Sequence, residues 1–345
     1  MIIPALSFFD DTMPSQLFTP PSSTADVPAI RLPDPERIFL DRAERFDALA
    51  KDHSLGEWLA FMGRLSRAQH QALQEMTDAE LPDAESLERA RIHRMPPLST
   101  ASFPRPSTWR DALGRIIELV NDDAPEGLRE TLSTLMVTSS EGLEKLADQL
   151  LSGEPDKNDL PRLPLIAAAL QVLFTRLAAQ LDATRLPPME ARSICPVCGN
   201  LPVASIIRAD GPVENLRYAH CTLCNTEWNA PRATCLLCGD DEKLALHEID
   251  GDDGIARAES CESCNSYLKI IYQGKNAHVD PVADDLASIA LDMLVDEAGF
   301  ERAGPNLLLI GAGGDEGNVG RRPAPFVQNP STGLSANGQG GLRLA

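Results

Sequence analysis

All eight cysteines of this 345-residue chain fall in four Cys-x-x-Cys pairs, and no other feature constrains the fold as strongly. The pairs are "CPVCG" (Cys195, Cys198), "CTLCN" (Cys221, Cys224), "CLLCG" (Cys235, Cys238) and "CESCN" (Cys261, Cys264). The first two recur 40 positions later as the last two, and the recurrence extends beyond sulfur. Gly199 matches Gly239, Asp210-Gly211 matches Asp250-Gly251, Arg217 matches Arg257 and Asn225 matches Asn265. Such self-similarity describes two copies of one module, each with its own four thiolates. A cross-braced arrangement, with ligands exchanged between copies, is compatible with the same spacing.

Each pair is followed by Gly or Asn (Gly199, Asn225, Gly239, Asn265). A metal knuckle turns so tightly that this residue is expected at positive φ, where Gly carries no Cβ penalty and Asn is the next most tolerant type. Four soft thiolates at this spacing suit a tetrahedral ion, either zinc or mononuclear iron. The expected architecture is therefore two tandem four-thiolate modules, rubredoxin-like or zinc-ribbon in kind, each too small to fold without its ion. Sulfur fills all four positions, so no coordination site remains for water or substrate and Lewis-acid catalysis is not expected. His220, next to Cys221, reads as a surface or outer-sphere group, because the thiolate count is already complete. Tyr218, Trp228 and Tyr267 sit on expected strands and read as packing over the small modules.

The thiols also bear on compartment. The opening "MIIPALSFFDDTMPSQ" has no basic n-region and no small-residue cleavage site. The longest apolar run, "PLIAAALQVLF", is too short to span a bilayer. A cytoplasmic chain with reduced thiols and no membrane insertion is expected. The net charge is -20, and Ala191 to Lys275 carries 8 Lys/Arg against 12 Asp/Glu. That balance argues against a nucleic-acid partner, which requires clustered Lys and Arg.

The remainder divides by pattern into an α+β chain: an N-terminal all-helical bundle, the two metal modules and a C-terminal helix. Residues 1–33 are proline-rich and read as a flexible arm. Residues 34–188 read as helical. Asp34 caps and Pro35 opens a first helix with Phe39, Ala43, Phe46 and Ala50 on one stripe. Leu55, Leu59, Met62 and Leu65 mark a second helix. Thr77 to Ser107 reads as a long connection, and further helices run from "TWRDALGRIIELV" to "LPLIAAALQVLFTRLAAQL". The last of these is apolar nearly all round and so central. Pro187 and Pro188 end the region. The modules occupy residues 191–230 and 231–275, with short strands at "VASIIR", "LRYAH", "KLALHEI" and "YLKIIY". One helix is expected over 280–300: Asp280 caps it, Val282, Leu286, Ile289, Ala290, Met293 and Leu294 form its apolar face, Asp284 and Asp285 its solvated face, and Gly299 stops it. The Gly-rich stretch 311–345 reads as disordered. No nucleophile–base pair or phosphate loop is recognisable, so no catalytic residue is expected.

Taken together, "CPVCGNLPVASIIR", "LRYAHCTLCNTEW", "AESCESCNSYLKIIYQ" and "PVADDLASIALD" resemble the FdhE family, the formate dehydrogenase accessory proteins. The likeness is dense from Ser193 to about Phe300 and looser over "ERIFLDRAERFDALA" and "LGEWLAFMGRL". The resemblance implies a non-catalytic, cytoplasmic maturation factor acting on the formate dehydrogenase catalytic subunit. It also implies rubredoxin-type iron, where spacing alone leaves zinc open. The ligands it implies are Cys195, Cys198, Cys221, Cys224, Cys235, Cys238, Cys261 and Cys264. On such a factor, Arg217, Tyr218, His220, Glu227 and Trp228 are the side chains expected to be exposed on the rigid modules and to meet the partner. A rubredoxin-like electron carrier or redox sensor is the alternative reading of the same sulfurs.

Overall fold

The structure is a computed structural model and describes residues 27–77, 79–186, 192–211 and 213–310. Residues 1–26, the Pro187/Pro188 boundary and the stretch 311–345 lie outside the described residues. Within them, helices come first and a sheet follows.

The helical part comprises α1 (Ile38–Leu49), α2 (Gly56–Glu75), α3 (Ala84–Ile92), α4 (Thr108–Val120), α5 (Glu126–Val137), α6 (Ser140–Ser152) and α7 (Leu163–Ala179). Helix α1 begins later than expected, after Arg37 and without a capping side chain; Asp34 instead closes the turn ahead of it, its carboxylate accepting from Glu36 N–H at 2.9 Å and its carbonyl from Ile38 N–H at 2.9 Å. Phe39, Ala43 and Phe46 are fully buried. Gly153 ends α6 in the left-handed region (φ 75°), the geometry that favours glycine. Helix α7 packs against α2, α4 and α6 and is buried along almost its whole length. With the preceding turn it forms a 20-residue helical stretch, Leu160–Ala179, of mean hydropathy 1.4. That is longer than the apolar run read from sequence and sufficient to cross a bilayer, yet 78% of its most apolar 18-residue window lies inside the protein, where a helix apolar on all sides belongs.

Helix α3 departs from the reading of Thr77–Ser107 as a connection. It buries no residue, so it shows no apolar stripe; its start is set by Asp83, which accepts from Ser86 N–H at 2.7 Å.

The sheet is built from β1 (Ile30–Arg31), β2 (Pro202–Arg208), β3 (Leu216–Cys221), β4 (Glu227–Ala230), β5 (Leu244–His247), β6 (Ala256–Cys261), β7 (Ser266–Tyr272) and β8 (Glu301–Arg302). Its order is β1-β4-β3-β2-β7-β6-β5, with β8 beside β7. The 40-residue repeat is visible in this order. β2-β3-β4 and β5-β6-β7 are two antiparallel meanders, fused through a parallel contact that sets Ser205 opposite Ile270 and Ile207 opposite Tyr272. Part of the expected N-terminal arm is thus ordered, since Ile30 and Arg31 pair with Trp228 and Glu227 of β4.

The C-terminal helix is two helices, α8 (Pro281–Ala287) and α9 (Ile289–Glu297), parted at Ser288. Asp280 caps α8, accepting from Val282 and Ala283 N–H at 3.0 and 2.8 Å. The break re-aims the expected apolar face: Leu291 and Val295 are buried, whereas Met293 is 63% exposed. Asp284 and Asp285 are not solvated; they are 3% and 1% exposed. Asp284 is held by Arg45 of α1, and Asp285 by Lys269, Arg302 and Asn306. A helix packed between α1, β2 and β7 has no solvent side, so its acids are tolerated only with cationic partners.

One apolar cluster runs from Phe39 through α7 and the first module to Ile310. A small satellite of Ala258, Tyr267, Leu291 and Val295 lies under α9.

Candidate metal centre

The first knuckle of each copy is set by the backbone before sulfur is considered. Gly199 N–H donates to Cys195 O at 2.9 Å and Cys195 N–H to Asn200 O at 2.8 Å; in the second copy Gly239 N–H donates to Cys235 O at 3.0 Å and Cys235 N–H to Asp240 O at 2.7 Å. The predicted positive φ is present at all four following residues: Gly199 76°, Asn225 59°, Gly239 80° and Asn265 51°.

These turns bring sulfurs of one copy together. Cys195 and Cys224 Sγ are 3.5 Å apart and Cys198 and Cys221 Sγ 3.4 Å. In the second copy Cys235 and Cys264 Sγ are 3.7 Å apart and Cys238 and Cys261 Sγ 3.6 Å. All four sulfurs of each group lie within 4.8 Å of one another. A tetrahedral ion with metal–sulfur bonds of about 2.3 Å holds its sulfurs about 3.8 Å apart, so each group could hold one ion with little adjustment. The grouping is within copies, not cross-braced. Burial drives the Cys195 and Cys198 thiols well above their usual range. An ion held by these two thiols displaces their protons, so it binds more weakly as the pH is lowered.

Hydroxyls escaped the sequence reading. Thr226 Oγ1 lies 3.2 Å from Cys224 Sγ, and Ser266 Oγ 2.8 Å from Cys264 Sγ. Thr226 and Ser266 are the same position of the repeat, which was the available signal. A metal-bound thiolate can accept only, so each hydroxyl is placed to donate to it and tune its charge.

The first group is also tied to the helices, which sequence reasoning missed. Gln171 of α7 donates to Thr222 O at 2.8 Å; Asn225 donates to Thr175 Oγ1 of α7 at 2.9 Å. Arg42 of α1 donates to Asn225 Oδ1 at 2.8 Å and to Asp280 at 3.0 Å. The other knuckle is covered by the segment before α4: Leu98 N–H donates to Val197 O at 2.9 Å and Thr100 N–H to Cys198 O at 3.2 Å.

The five expected docking residues are not presented to a partner. Arg217, Tyr218 and His220 are 1% exposed, and Glu227 and Trp228 4%. The reason is the second sheet half and the arm, which cover them. Arg217 pairs with Glu259 of β6 at 2.8 Å, and Tyr218 donates to Pro28 O at 2.9 Å. Trp228 Nε1 donates to Arg192 O at 2.8 Å. His220, also no surface group, sits between Glu227 and Asn225 at 3.2 Å from each, one hydrogen bond from the knuckle. The packing reading of Tyr218, Trp228 and Tyr267 describes them correctly.

Comparison with known proteins follows the same division of the chain. Profiles described as FdhE, N-terminal, FdhE, central domain, and FdhE, C-terminal domain match residues 27–190, 194–232 and 233–309. The chain belongs to the FdhE family. Curated relatives named Protein FdhE homolog include one from Haemophilus influenzae (strain PittEE), 37% identical over 84% of this chain and 94% of its own length. Another, from Rhizobium meliloti (strain 1021), is 35% identical over 83% of this chain and 94% of its own. The crystal structure of the FdhE protein from Pseudomonas aeruginosa is similar at a TM-score of 0.76 and 34% identity, covering 83% of this chain and 100% of that one.

Proposed function

We propose that this FdhE-family chain is a non-catalytic, cytoplasmic maturation factor for the catalytic subunit of formate dehydrogenase, holding one metal ion in each four-cysteine group. The observation that carries the reading is the pair of complete four-sulfur sets, each within bonding reach of a single ion. Sulfur on all four positions leaves no place for a reacting ligand, which favours assembly work over turnover. The family's accessory role supplies the partner, and the resemblance favours rubredoxin-type iron over zinc.

The test is co-purification. A tagged full-length chain, purified without air and analysed for metal and visible absorption, should carry two ions per chain and retain the formate dehydrogenase catalytic subunit. It should not oxidise formate by itself with an added electron acceptor. Formate oxidation by the isolated chain would overturn the non-catalytic assignment. Failure to retain the subunit would overturn the partner. The electron-carrier reading keeps one observation in its favour, the exposure of Cys238 and Cys264. Reversible one-electron cycling of bound iron, with no complex formed, would support it instead.

A further inference from the structure

The two sulfur groups belong to two copies of one repeated module, yet their surroundings differ at half of the equivalent cysteines. In the first, Cys195, Cys198, Cys221 and Cys224 are all fully buried. In the second, Cys235 and Cys261 are buried while Cys238 and Cys264 are exposed. The residues between the cysteines follow suit. Thr222, Leu223 and Asn225 are buried at 1%, 0% and 2%, whereas their counterparts Glu262, Ser263 and Asn265 are exposed. Position for position, the first knuckle presents groups that bond to α7 and α1, and the second presents polar groups to water. Its bracing hydrogen bonds include Ser263 Oγ to Asp240 at 2.8 Å, which joins its two knuckles, Glu262 N–H to Lys243 O at 3.1 Å and Glu301 N–H to Asn265 O at 2.8 Å, while Leu236 reaches the large apolar core.

The repeated arginine shows the same divergence. Arg217 is buried against Glu259, while Arg257 pairs with Glu248 and both remain about one-third exposed. A duplicated module has thus been enclosed once and left open once.

From this asymmetry we propose that the Cys235/Cys238/Cys261/Cys264 group is the site where a soft divalent ion exchanges with an external thiolate or chelator, through Cys238 and Cys264. The Cys195/Cys198/Cys221/Cys224 group is a closed structural centre. The proposal rests on the metal-binding reading above. Exchange is ligand substitution without electron transfer. An incoming donor bonds to the ion as a bond to Cys238 or Cys264 breaks; the freed sulfur leaves as a thiolate when the donor is itself a thiolate, and takes up the donor's proton when the donor is a thiol. At the first group the same attack requires the helical cover to open first, and local opening is what slows it.

The experiment loads the full chain with two zinc ions and mixes it with excess 4-(2-pyridylazo)resorcinol, following the coloured complex. Release should be biphasic, one ion per phase, with the slow phase at least ~10-fold slower. C238S/C264S should remove the fast phase and keep the slow one. Iodoacetamide applied to the zinc-loaded natural chain, with peptide mass mapping, should label Cys238 and Cys264 ahead of the other cysteines; this holds even if the variant misfolds. Release of both ions at one rate, or earlier labelling of Cys195, Cys198, Cys221 or Cys224, would overturn the proposal and leave the metal reading standing. A chain that takes up no ion would overturn both.

Discussion

At the scale of single residues, the unusual feature of this chain is how many charges it buries around its metal-bearing half. Arg42, Arg45, Arg217, Lys269, Asp284 and Asp285 are all 6% exposed or less, and each has an opposite partner. Removing one partner of such a pair leaves a stranded charge, at a cost of about 3–5 kcal/mol. Glu227 is the clearest case for a pH test. Burial alone would raise its pKa, but Arg208 and then His220 more than offset this and hold it at about 2, against an ordinary 4.5. A depressed folded-state pKa contributes stability that is present above the unfolded value and lost as pH falls from about 4.5 towards 2. We expect E227Q to be less stable than the natural chain at pH 7, by at most about 3 kcal/mol. The gap should narrow as urea unfolding is repeated at pH 5, 4 and 3. A gap that stays constant over that range would show that the carboxylate is not held ionised by Arg208.

At the scale of elements, legibility followed chemistry that is local in sequence. The knuckles were readable because two sulfurs, a tight turn and a positive-φ Gly or Asn all lie within five residues of each pair. Strands β2, β3 and β7 were readable from their β-branched and aromatic runs. Strand β6 was not: "ARAESC" has no β-branched or aromatic residue, and its neighbours β5 and β7 place it. The break at Ser288 was hidden because Ser288 Oγ takes the carbonyls of Asp284 and Asp285, at 2.7 and 3.2 Å, an interaction invisible to periodicity. The acids of α8 looked like a solvated face because their cations come from α1 and from β7 and β8, far away in sequence. The same distant contacts revise the idea that each module folds on its ion alone. The Cys221–Cys224 knuckle of the first group is hydrogen-bonded to α1 and α7, so loss of its ion should loosen the helices as well. Structural four-ligand sites contribute on the order of 10 kcal/mol to the folding of small domains. C195S/C198S should therefore lower or abolish the cooperative melt seen by circular dichroism at 222 nm. C235S/C238S should leave a cooperative helical transition. Equal losses in both variants would mean that the first site is no more coupled to the helices than the second.

At the scale of the whole molecule, the repeat and the helices share one apolar core although their compositions differ sharply in sequence. Composition changes abruptly at Cys195, and that change is real at the level of secondary structure. It does not mark a gap in the core, because the large apolar cluster crosses it, joining Phe39, Leu173 and Phe174 to Val203, Ile206 and Leu223. Polar groups cross it too: Arg42 to Asp280, Arg45 to Asp284 and Gln171 to Thr222. A fragment of residues 191–310 would expose that apolar face and leave Asp280 and Asp284 without their arginines, buried acids with nothing to offset desolvation. We therefore expect this fragment, even when supplied with metal, to lack a cooperative thermal transition and to aggregate. Residues 27–190 should lose the cover over α7 and behave similarly. Co-expressed, the two pieces should recover a soluble one-to-one complex, because the interface between them is a core divided in two. The decisive measurement is the amide proton dispersion of the isolated 191–310 fragment with metal bound. A well-dispersed spectrum would show that the metal modules are an autonomous domain after all, and that the shared core contributes little to their folding.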